Sequence, residues 1–218
     1  GPDLTAPVIE VFSVQNGGYI PNNMSAFPLG MYLNEPADCH WSALDTTYDL
    51  MDHSFACAQT SGEVSSLYYG LYKCSTLLTG IQDNKRNPFF FKCKAQPGIN
   101  ESLRNTNSQS TMYSLVSTQP LQITNVGPQG KIYLQSPELV VTTSRGAERG
   151  ISTCGYSFSA TSDPATSSLF LITNSTEHQQ PLINLLPGAY TAYLTCIDIA
   201  GNKDQAQTSF EIVPVERN

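Results

Sequence analysis

Apolar residues recur at every second position in short runs along most of the chain. β-branched and aromatic residues dominate these runs, and Gly, Pro, Asn and Asp separate them, which is typical of β-strands joined by turns. No long stretch has a helical period, although "TYDLMDHSFA" could contain one short turn. The pattern predicts an all-β fold. The clearest predicted strands are "PVIEVFSV", "FFFKCKA", "TMYSLVS", "ISTCGYSF", "AYTAYLTCIDI" and "TSFEIVPV".

This strand pattern occurs twice. "ADCHWS" in the first half matches "STCGYS" in the second, and "FFFKCKAQPG" matches "AYLTCIDIAG". In each half a first strand precedes this pair and a closing strand follows it. We therefore predict two copies of one β unit, joined near Ser117 to Pro120, with one domain over residues 3–118 and another over residues 119–216.

The repeated cysteines predict two equivalent disulfides. Side chains alternate along a strand, so Cys39 and Trp41 point the same way, and we expect both to face the interior. Each repeated cysteine then has a natural partner on the later strand of its own half. The predicted bonds are Cys39–Cys93 and Cys154–Cys196.

The other two cysteines, Cys57 and Cys74, lie in sequence that only the first half contains. The repeated cysteines are 54 residues apart there and 42 apart in the second half. We predict an insertion at about 52–80, held by a third disulfide, Cys57–Cys74. This even number of cysteines is typical of an oxidising compartment. A zinc site is the alternative, but there is no Cys-x-x-Cys pair, and His40 faces away from Cys39.

Composition narrows the class of protein further. Charged residues make up 13% of the chain, which is roughly half the usual share. The 11 basic residues are scattered and the net charge is −7, which argues against nucleic acid or an anionic membrane as partner. No apolar run approaches the roughly 18 to 20 residues of a membrane helix, so we expect no membrane insertion.

The second half resembles a known family. "LLPGAYTAYLTCIDIAGNKDQAQTSFEIV" is similar to the last two strands of bacterial and archaeal immunoglobulin-like (fibronectin-III-like) surface domains; the first half is similar only loosely, with "QPG" at the turn. The resemblance implies two tandem immunoglobulin-like β-sandwiches of a prokaryotic cell-surface protein, and it supplies no catalytic residue or cofactor. The matching residues are Leu185, Gly188, Tyr190, Thr191, Asp198, Ala200, Gly201 and Asn202.

The insertion contains the best candidate for a binding site, the tyrosines Tyr68, Tyr69 and Tyr72. Tyrosine offers a large contact area at a low entropy cost, which suits recognition of a protein or a glycan. Packing against the sandwich is the alternative. Trp41 could likewise stack on a ligand, but its place beside Cys39 favours the core.

Two acidic groups could bind a cation. Oxygen ligands for calcium are available near the last turn, but Asp and Asn are also common turn residues, and we favour that interpretation. This group is Asp198, Asn202 and Asp204. A second group could bind a metal or do acid-base chemistry only if its members converge. This second group is Asp45, Asp49, Asp52 and His53. A solvated loop explains these residues more simply than a site does. We expect no metal and no cofactor.

Three segments fit the acceptor pattern for N-glycosylation, Asn-x-Ser/Thr. If the source glycosylates secreted proteins, these segments mark surface loops. Their asparagines are Asn23, Asn100 and Asn174.

The function predicted first is a non-catalytic stalk or adhesion module. The chain begins Gly1-Pro2, as a tag-removing protease leaves it, and we expect a monomeric piece of a larger extracellular protein at a cell surface. No Gly-x-Ser-x-Gly or His-Glu-x-x-His motif occurs, so we expect no enzyme. Two alternatives remain: a module that binds a glycan or a protein through the insertion, and an accessory part of a secreted hydrolase.

Overall fold

The computed structural model describes residues 4–160 and 167–214. Its strands form two compact units. Unit 1 ends at Ser117, and unit 2 begins at Thr118 and also includes Tyr19–Asn22. Within the described ranges, no helix is long and apolar enough to cross a membrane.

Strands dominate unit 1, where the only helical elements described are two short 3-10 turns, Tyr48–Leu50 and Glu101–Leu103. The strands are β1 (Ile9–Phe12), β2 (Gly18–Ile20), β3 (Ala26–Leu33), β4 (Ala37–Ser42), β5 (His53–Ser54), β6 (Ala56–Cys57), β7 (Tyr72–Thr79), β8 (Arg86–Ala95) and β9 (Thr111–Ser117). Only Gly18 of β2 is assigned to unit 1; Tyr19 and Ile20 are among the residues of unit 2. One sheet has the order β1-β3-β7-β6 and the other β2-β9-β8-β4-β5.

Unit 2 repeats this plan. Its strands are β10 (Leu121–Gly127), β11 (Gly130–Ile132), β12 (Glu138–Arg145), β13 (Ser152–Ser157), β14 (Ser168–Leu169), β15 (Glu177–Pro181), β16 (Gly188–Asp198) and β17 (Lys203–Ile212), with a 3-10 turn at Glu148–Gly150. The sheets have the orders β10-β12-β15 and β11-β17-β16-β13-β14. Strand by strand, these orders match those of unit 1, except that unit 2 has no described counterpart of β6.

The cores follow from the alternation in the sequence. In β12, Leu139, Val141 and Thr143 are buried while their neighbours are more exposed, as expected of a strand with one face on a core. The core of unit 2 draws on both of its sheets, for example Leu139 from one and Leu194 from the other. Two packed sheets of this kind, antiparallel in most strand pairs but parallel between β11 and β17, make each unit an immunoglobulin-like β-sandwich.

Trp41 joins the two sheets of unit 1. It is 2% exposed, and its indole Nε1 donates a hydrogen bond of 2.9 Å to Oγ1 of Thr76 on β7, in the other sheet. Its ring lies edge-on to Phe89 and stacks on His53 at 3.9 Å. The predicted core position of Trp41 is confirmed.

The structure contains three disulfides, in the same pairs that the sequence predicts: Cys39–Cys93, Cys57–Cys74 and Cys154–Cys196. Each joins residues directly opposite each other on neighbouring strands of one sheet. The common inter-sheet bond of immunoglobulin domains is therefore replaced by bonds within a sheet.

The segment that lies between the repeated cysteines of unit 1 is only partly extra sequence. β7, inside the predicted insertion at about 52–80, pairs with β3 from Ala26 opposite Thr79 to Leu33 opposite Tyr72. In unit 2, β15 pairs with β12 in the corresponding place. The element specific to unit 1 is therefore β6 with the loop at 58–71, which we call the inserted loop.

Candidate binding surface

The base of the inserted loop is fastened to the sandwich. The Cys57–Cys74 bond ties β6 to β7, and the N–H of Ala58 donates to the carbonyl of Lys73 at 3.0 Å. Inside the unit, Sγ of Cys74 lies 3.8 Å from Sγ of Cys39. The second disulfide therefore packs on the first, and the loop begins from two disulfides in which Cys39, Cys93 and Cys74 are buried and Cys57 is half-buried.

A polar contact holds the loop from the side. The Gln59 amide donates to Oδ1 of Asp38 at 3.0 Å, and Arg104 donates to Oδ2 of Asp38 at 2.7 Å. Burial works against ionisation of Asp38, but the hydrogen bonds from Arg104 and Gln59 prevail and lower the pKa of its carboxyl group. An ionised Asp38 therefore connects the inserted loop to the outer face of β4.

Hydrogen bonds also order the loop internally. The Glu63 carboxylate accepts from the N–H groups of Gln59 and Thr60 at 2.8 and 3.0 Å. The N–H of Ser65 donates to the Leu71 carbonyl at 2.8 Å, and the N–H of Leu71 donates to the Tyr68 carbonyl at 3.0 Å. The loop is therefore a folded turn with its own ladder of bonds.

The three candidate tyrosines have different positions. Tyr68 packs edge-on against the buried Tyr32, with ring centroids 4.6 Å apart. Tyr72 is half-buried on β7, and its hydroxyl donates to the Ser61 carbonyl. Tyr69 alone is almost fully exposed, at 95%. Packing thus accounts for Tyr68 and Tyr72, and Tyr69 is left as the surface residue.

Leu67 shares this exposed end of the loop. Its side chain is 71% exposed, two residues before Tyr69. We call Leu67 and Tyr69 the tip. Sequence reasoning missed Leu67, because nothing in the sequence separates it from Val64 and Leu71, the other large aliphatic residues of the inserted loop.

The acidic group at residues 45–53 does not form one site in the structure. Asp45 accepts a hydrogen bond from the hydroxyl of Ser110, which lies in another loop. Oδ1 of Asp52 lies 3.6 Å from Nε2 of His53 at the surface. Asp49 belongs to the 3-10 turn at Tyr48–Leu50. These contacts favour the solvated-loop interpretation.

Nearby, Lys94 lies over the Tyr48 ring, 4.8 Å from its centroid. Burial first, then the charge of Asp38, raises the pKa of Tyr48 to about 12. Tyr48 is therefore a neutral packing residue at physiological pH.

Within the described ranges, three His, Cys, Asp or Glu ligand atoms come within 4.8 Å of one another only at the sulfurs of Cys39, Cys57 and Cys74. All three sulfurs are in disulfides, so they are not thiolates. The geometry provides no zinc ligands there.

The calcium candidates are engaged in the last turn. Oδ1 of Asp198 accepts from the N–H groups of Ala200 and Asn202, at 3.0 and 2.9 Å, and Oδ2 accepts from the N–H of Ala147 at 2.8 Å. Oδ2 of Asp204 accepts from the N–H of Ile123 at 2.8 Å. A calcium ion would have to compete with these donors, and the contacts favour turn chemistry.

The three glycosylation candidates all lie at the surface. Asn100 caps the 3-10 turn at Glu101–Leu103, because its Oδ1 accepts from the N–H of Ser102. Asn23 and Asn174 have left-handed backbone, with φ of 63° and 57°. Glycosylation of these residues stays a prediction.

His178 is a buried polar residue that the sequence analysis did not identify. It is 1% exposed, and its Nε2 lies 3.0 Å from the Thr143 hydroxyl and 3.4 Å from the Ser152 hydroxyl. Nδ1 lies 2.8 Å from the Thr173 hydroxyl. Burial lowers the pKa of His178. The ring's hydrogen-bond partners among the described residues are hydroxyl groups, and Phe170 packs edge-on against it with ring centroids 6.4 Å apart, so the contacts support a structural role for a neutral ring.

This chain is similar to known proteins in structure but not in sequence. No family model and no curated protein matches the chain. Among solved structures, the fibronectin(III)-like modules of Clostridium thermocellum CbhA are 11% identical with a TM-score of 0.48, and the match covers 95% of this chain and 93% of that chain. Immunoglobulin domains 1–4 of Sidekick-1 are 12% identical with a TM-score of 0.42, covering 95% and 49%.

The FN1–FN3 domains of chicken CNTN1 are 13% identical with a TM-score of 0.42, covering 89% of this chain and 66% of that chain. This chain thus spans about half of the Sidekick-1 structure. At such identities the similarity is one of fold alone, and it indicates no substrate or partner.

Proposed function

We propose that this chain is a non-catalytic adhesion module at a cell surface and that it binds a partner protein through the tip of the inserted loop. Three disulfides in an immunoglobulin-like fold are typical of an extracellular domain. Attachment to a surface and the role in adhesion are parts of the proposal.

One observation carries it: two large apolar side chains, Leu67 and Tyr69, are exposed on a loop whose base and interior are ordered. A partner that covers this pair would remove apolar surface from water, and a preordered loop loses little entropy on binding. Aromatic residues on a rigid support are the usual anchors of protein interfaces.

A protein partner fits better than a glycan for a specific reason. Leu67 has no hydrogen-bonding group, and the loop's carboxylate, Glu63, is already bonded to backbone N–H groups. A sugar needs several polar partners around its hydroxyls, whereas an apolar protein pocket does not. Glycan binding by Tyr69 remains the alternative.

The test uses beads coated with the whole chain. They are applied to an array of extracellular proteins, to a glycan array, and to beads that carry a second copy of the chain. The variant is the double substitution Leu67→Ser and Tyr69→Ser. The matched control is Ile183→Ser and Leu186→Ser in unit 2, where the side chains are 75% and 76% exposed.

We expect binding to at least one protein, with a loss of at least about tenfold in affinity in the tip variant, as for a hot spot of about 1.4 kcal/mol or more. The control variant should bind like the original chain. Equal binding by the tip variant, or binding to glycans alone, would contradict the proposal.

A further inference from the structure

Three segments of unit 2 lie side by side at the end of the five-stranded sheet. Ser152 at the start of β13 exchanges backbone hydrogen bonds with Ser175, at 3.0 and 3.2 Å. On its other side Ser152 pairs with Asp198 of β16. Ser152 and Asp198 are 2% and 6% exposed, so this row faces the interior.

The residues on either side of that row therefore face outward, because side chains alternate along paired strands. They include three isoleucines, Ile151, Ile197 and Ile199, which are 39%, 40% and 70% exposed. Together with Asn174 they line one surface cavity of about 350 Å³, whose other lining residues are polar or charged: Glu148, Ser152, Thr153 and Asp198. Asn174 thus borders the same cavity as the three exposed isoleucines, which we call the aliphatic floor.

Asn174 has the features of an attachment site. It begins the acceptor sequence Asn174-Ser175-Thr176, it is exposed, and its φ of 57° places it at a tight turn. Its side-chain amide makes no hydrogen bond to the residues that the structure describes. In Asn100, by contrast, the side-chain oxygen is occupied by Ser102.

We propose that Asn174 carries an N-linked oligosaccharide and that the first sugar lies over Ile151, Ile197 and Ile199. The donor is a polyprenyl-diphosphate-linked oligosaccharide, used by an oligosaccharyltransferase. A bond forms between Nδ2 and C1 of the sugar, the bond from C1 to the phosphate oxygen breaks, and the lipid diphosphate leaves with the electron pair. The amide loses one proton to a base.

The sugar is expected to lie over the isoleucines because both present apolar surface. An N-acetylhexosamine has C–H faces and an acetamido methyl group that can cover aliphatic side chains, while its hydroxyls stay in water. Burial of isoleucine surface is favourable in proportion to the area removed from water. The inference rests on the extracellular location proposed above and does not depend on the tip.

The experiment secretes the whole chain from a cultured animal cell line and maps occupancy of each acceptor asparagine by peptide mass spectrometry. The glycoprotein is then divided into three samples: intact, trimmed by an endoglycosidase that leaves one sugar, and fully deglycosylated by an amidase. Calorimetry follows unfolding. The single Trp, Trp41, lies in unit 1, so fluorescence identifies the transition of that unit.

We expect Asn174 to be occupied and the melting temperature of unit 2 to fall by about 4 °C on full deglycosylation, with most of the stability retained when one sugar remains. Thr176→Ala should remove the glycan and the shift together. Ile199→Ser should keep occupancy and lose the shift, because it removes the floor and keeps the acceptor sequence. Asn23→Gln is the control and should leave unit 2 unchanged.

An unmodified Asn174 would overturn the proposal. So would an occupied Asn174 whose trimmed and deglycosylated samples melt alike, or a shift that persists in Ile199→Ser. Loss of tip binding in the assay above would leave these outcomes unaffected, so the two proposals fail separately.

Discussion

The two units surround equivalent disulfides in different ways. In unit 1, Sγ of Cys39 lies 3.8 Å from Sγ of Cys74, which belongs to a second disulfide. In unit 2, Sγ of Cys154 lies 3.9 Å from the hydroxyl of Ser152, which also contacts His178. One sandwich thus packs sulfur against sulfur, and the other places its disulfide beside a polar cluster.

This difference separates a surface role from an interior one. The second disulfide of unit 1 lies at the foot of the inserted loop and supports an exposed tip. The polar cluster of unit 2 consists of His178 and the hydroxyl groups that surround it. It is enclosed, and the hydrogen bond between Thr143 on β12 and Ser152 on β13 joins the two sheets. Two sandwiches with the same strand order therefore differ around their equivalent disulfides: one supports an exposed loop and the other an internal hydrogen-bond network. We expect recognition of a partner in unit 1.

The largest expected effect is in the core of unit 1. Trp41→Ala removes a buried ring and its hydrogen bond to Thr76, and should lower the free energy of unfolding of that unit by about 3 to 5 kcal/mol. Denaturant melts followed by circular dichroism measure it, with the exposed Leu67→Ala as control. A loss below about 1 kcal/mol would mean that the ring is not part of the core.

The next effect distinguishes the two disulfide environments. Replacing both Cys57 and Cys74 by Ala opens a loop with a sequence separation of 17, which should cost unit 1 about 3 kcal/mol on the chain-entropy model. Unit 2 should melt as before. If unit 1 keeps its full stability in calorimetry, the Cys57–Cys74 disulfide does not stabilise the sandwich.

A smaller effect belongs to unit 2 alone and depends on pH. Burial lowers the folded-state pKa of His178 below the ordinary value of 6.5, so the unfolded chain binds the proton more readily. Stability from the neutral ring is present above pH 6.5 and is lost as pH falls below it, by at most about 1.4 kcal/mol per pH unit. Thermal melts between pH 7.5 and about pH 5 test this.

His178→Gln is the matched variant for that measurement, because an amide can still bond to hydroxyls but does not titrate. Its unit 2 should be less dependent on pH in this range. If the original chain shows no dependence, or if the variant retains all of it, another group is responsible.

The smallest effect concerns the tip. Leu67→Ser with Tyr69→Ser should change the free energy of unfolding of unit 1 by less than about 0.5 kcal/mol, because both side chains are exposed. Chemical denaturation checks this value. A loss of 2 kcal/mol or more would show that the tip packs on the sandwich, and binding results with this variant would then have to be explained by misfolding.

Much of the fold was predictable because local alternation and the internal repeat agree. Cys154 and Cys196 lie on strands whose period predicts inward-facing side chains, and the structure pairs them directly. Membership of one sheet could not be predicted, since strand order depends on contacts between distant segments. For the same reason the sequence pattern places β7 inside the predicted insertion at about 52–80, whereas β7 pairs with β3.

The candidate surface was predictable only in outline. The sequence does not show that Tyr68 packs against Tyr32 while Tyr69 is exposed to solvent. The direction of each side chain depends on the turn at residues 65–71. The hydroxyls around His178 come from separate segments of the chain, and no local pattern connects them. The isoleucine floor beside Asn174 is assembled from separate segments in the same way.

The central claim is that the inserted loop of unit 1 is held rigidly by its disulfide so that it presents the tip. Amide hydrogen exchange tests it most directly at Ser65 and Leu71, whose N–H groups bond within the loop. We expect slow exchange at both amides in the original chain and fast exchange when Cys57 and Cys74 are replaced by Ala, with slow exchange of the Phe91 amide on β8 in both proteins. Fast exchange at Ser65 and Leu71 in the original chain would contradict the claim.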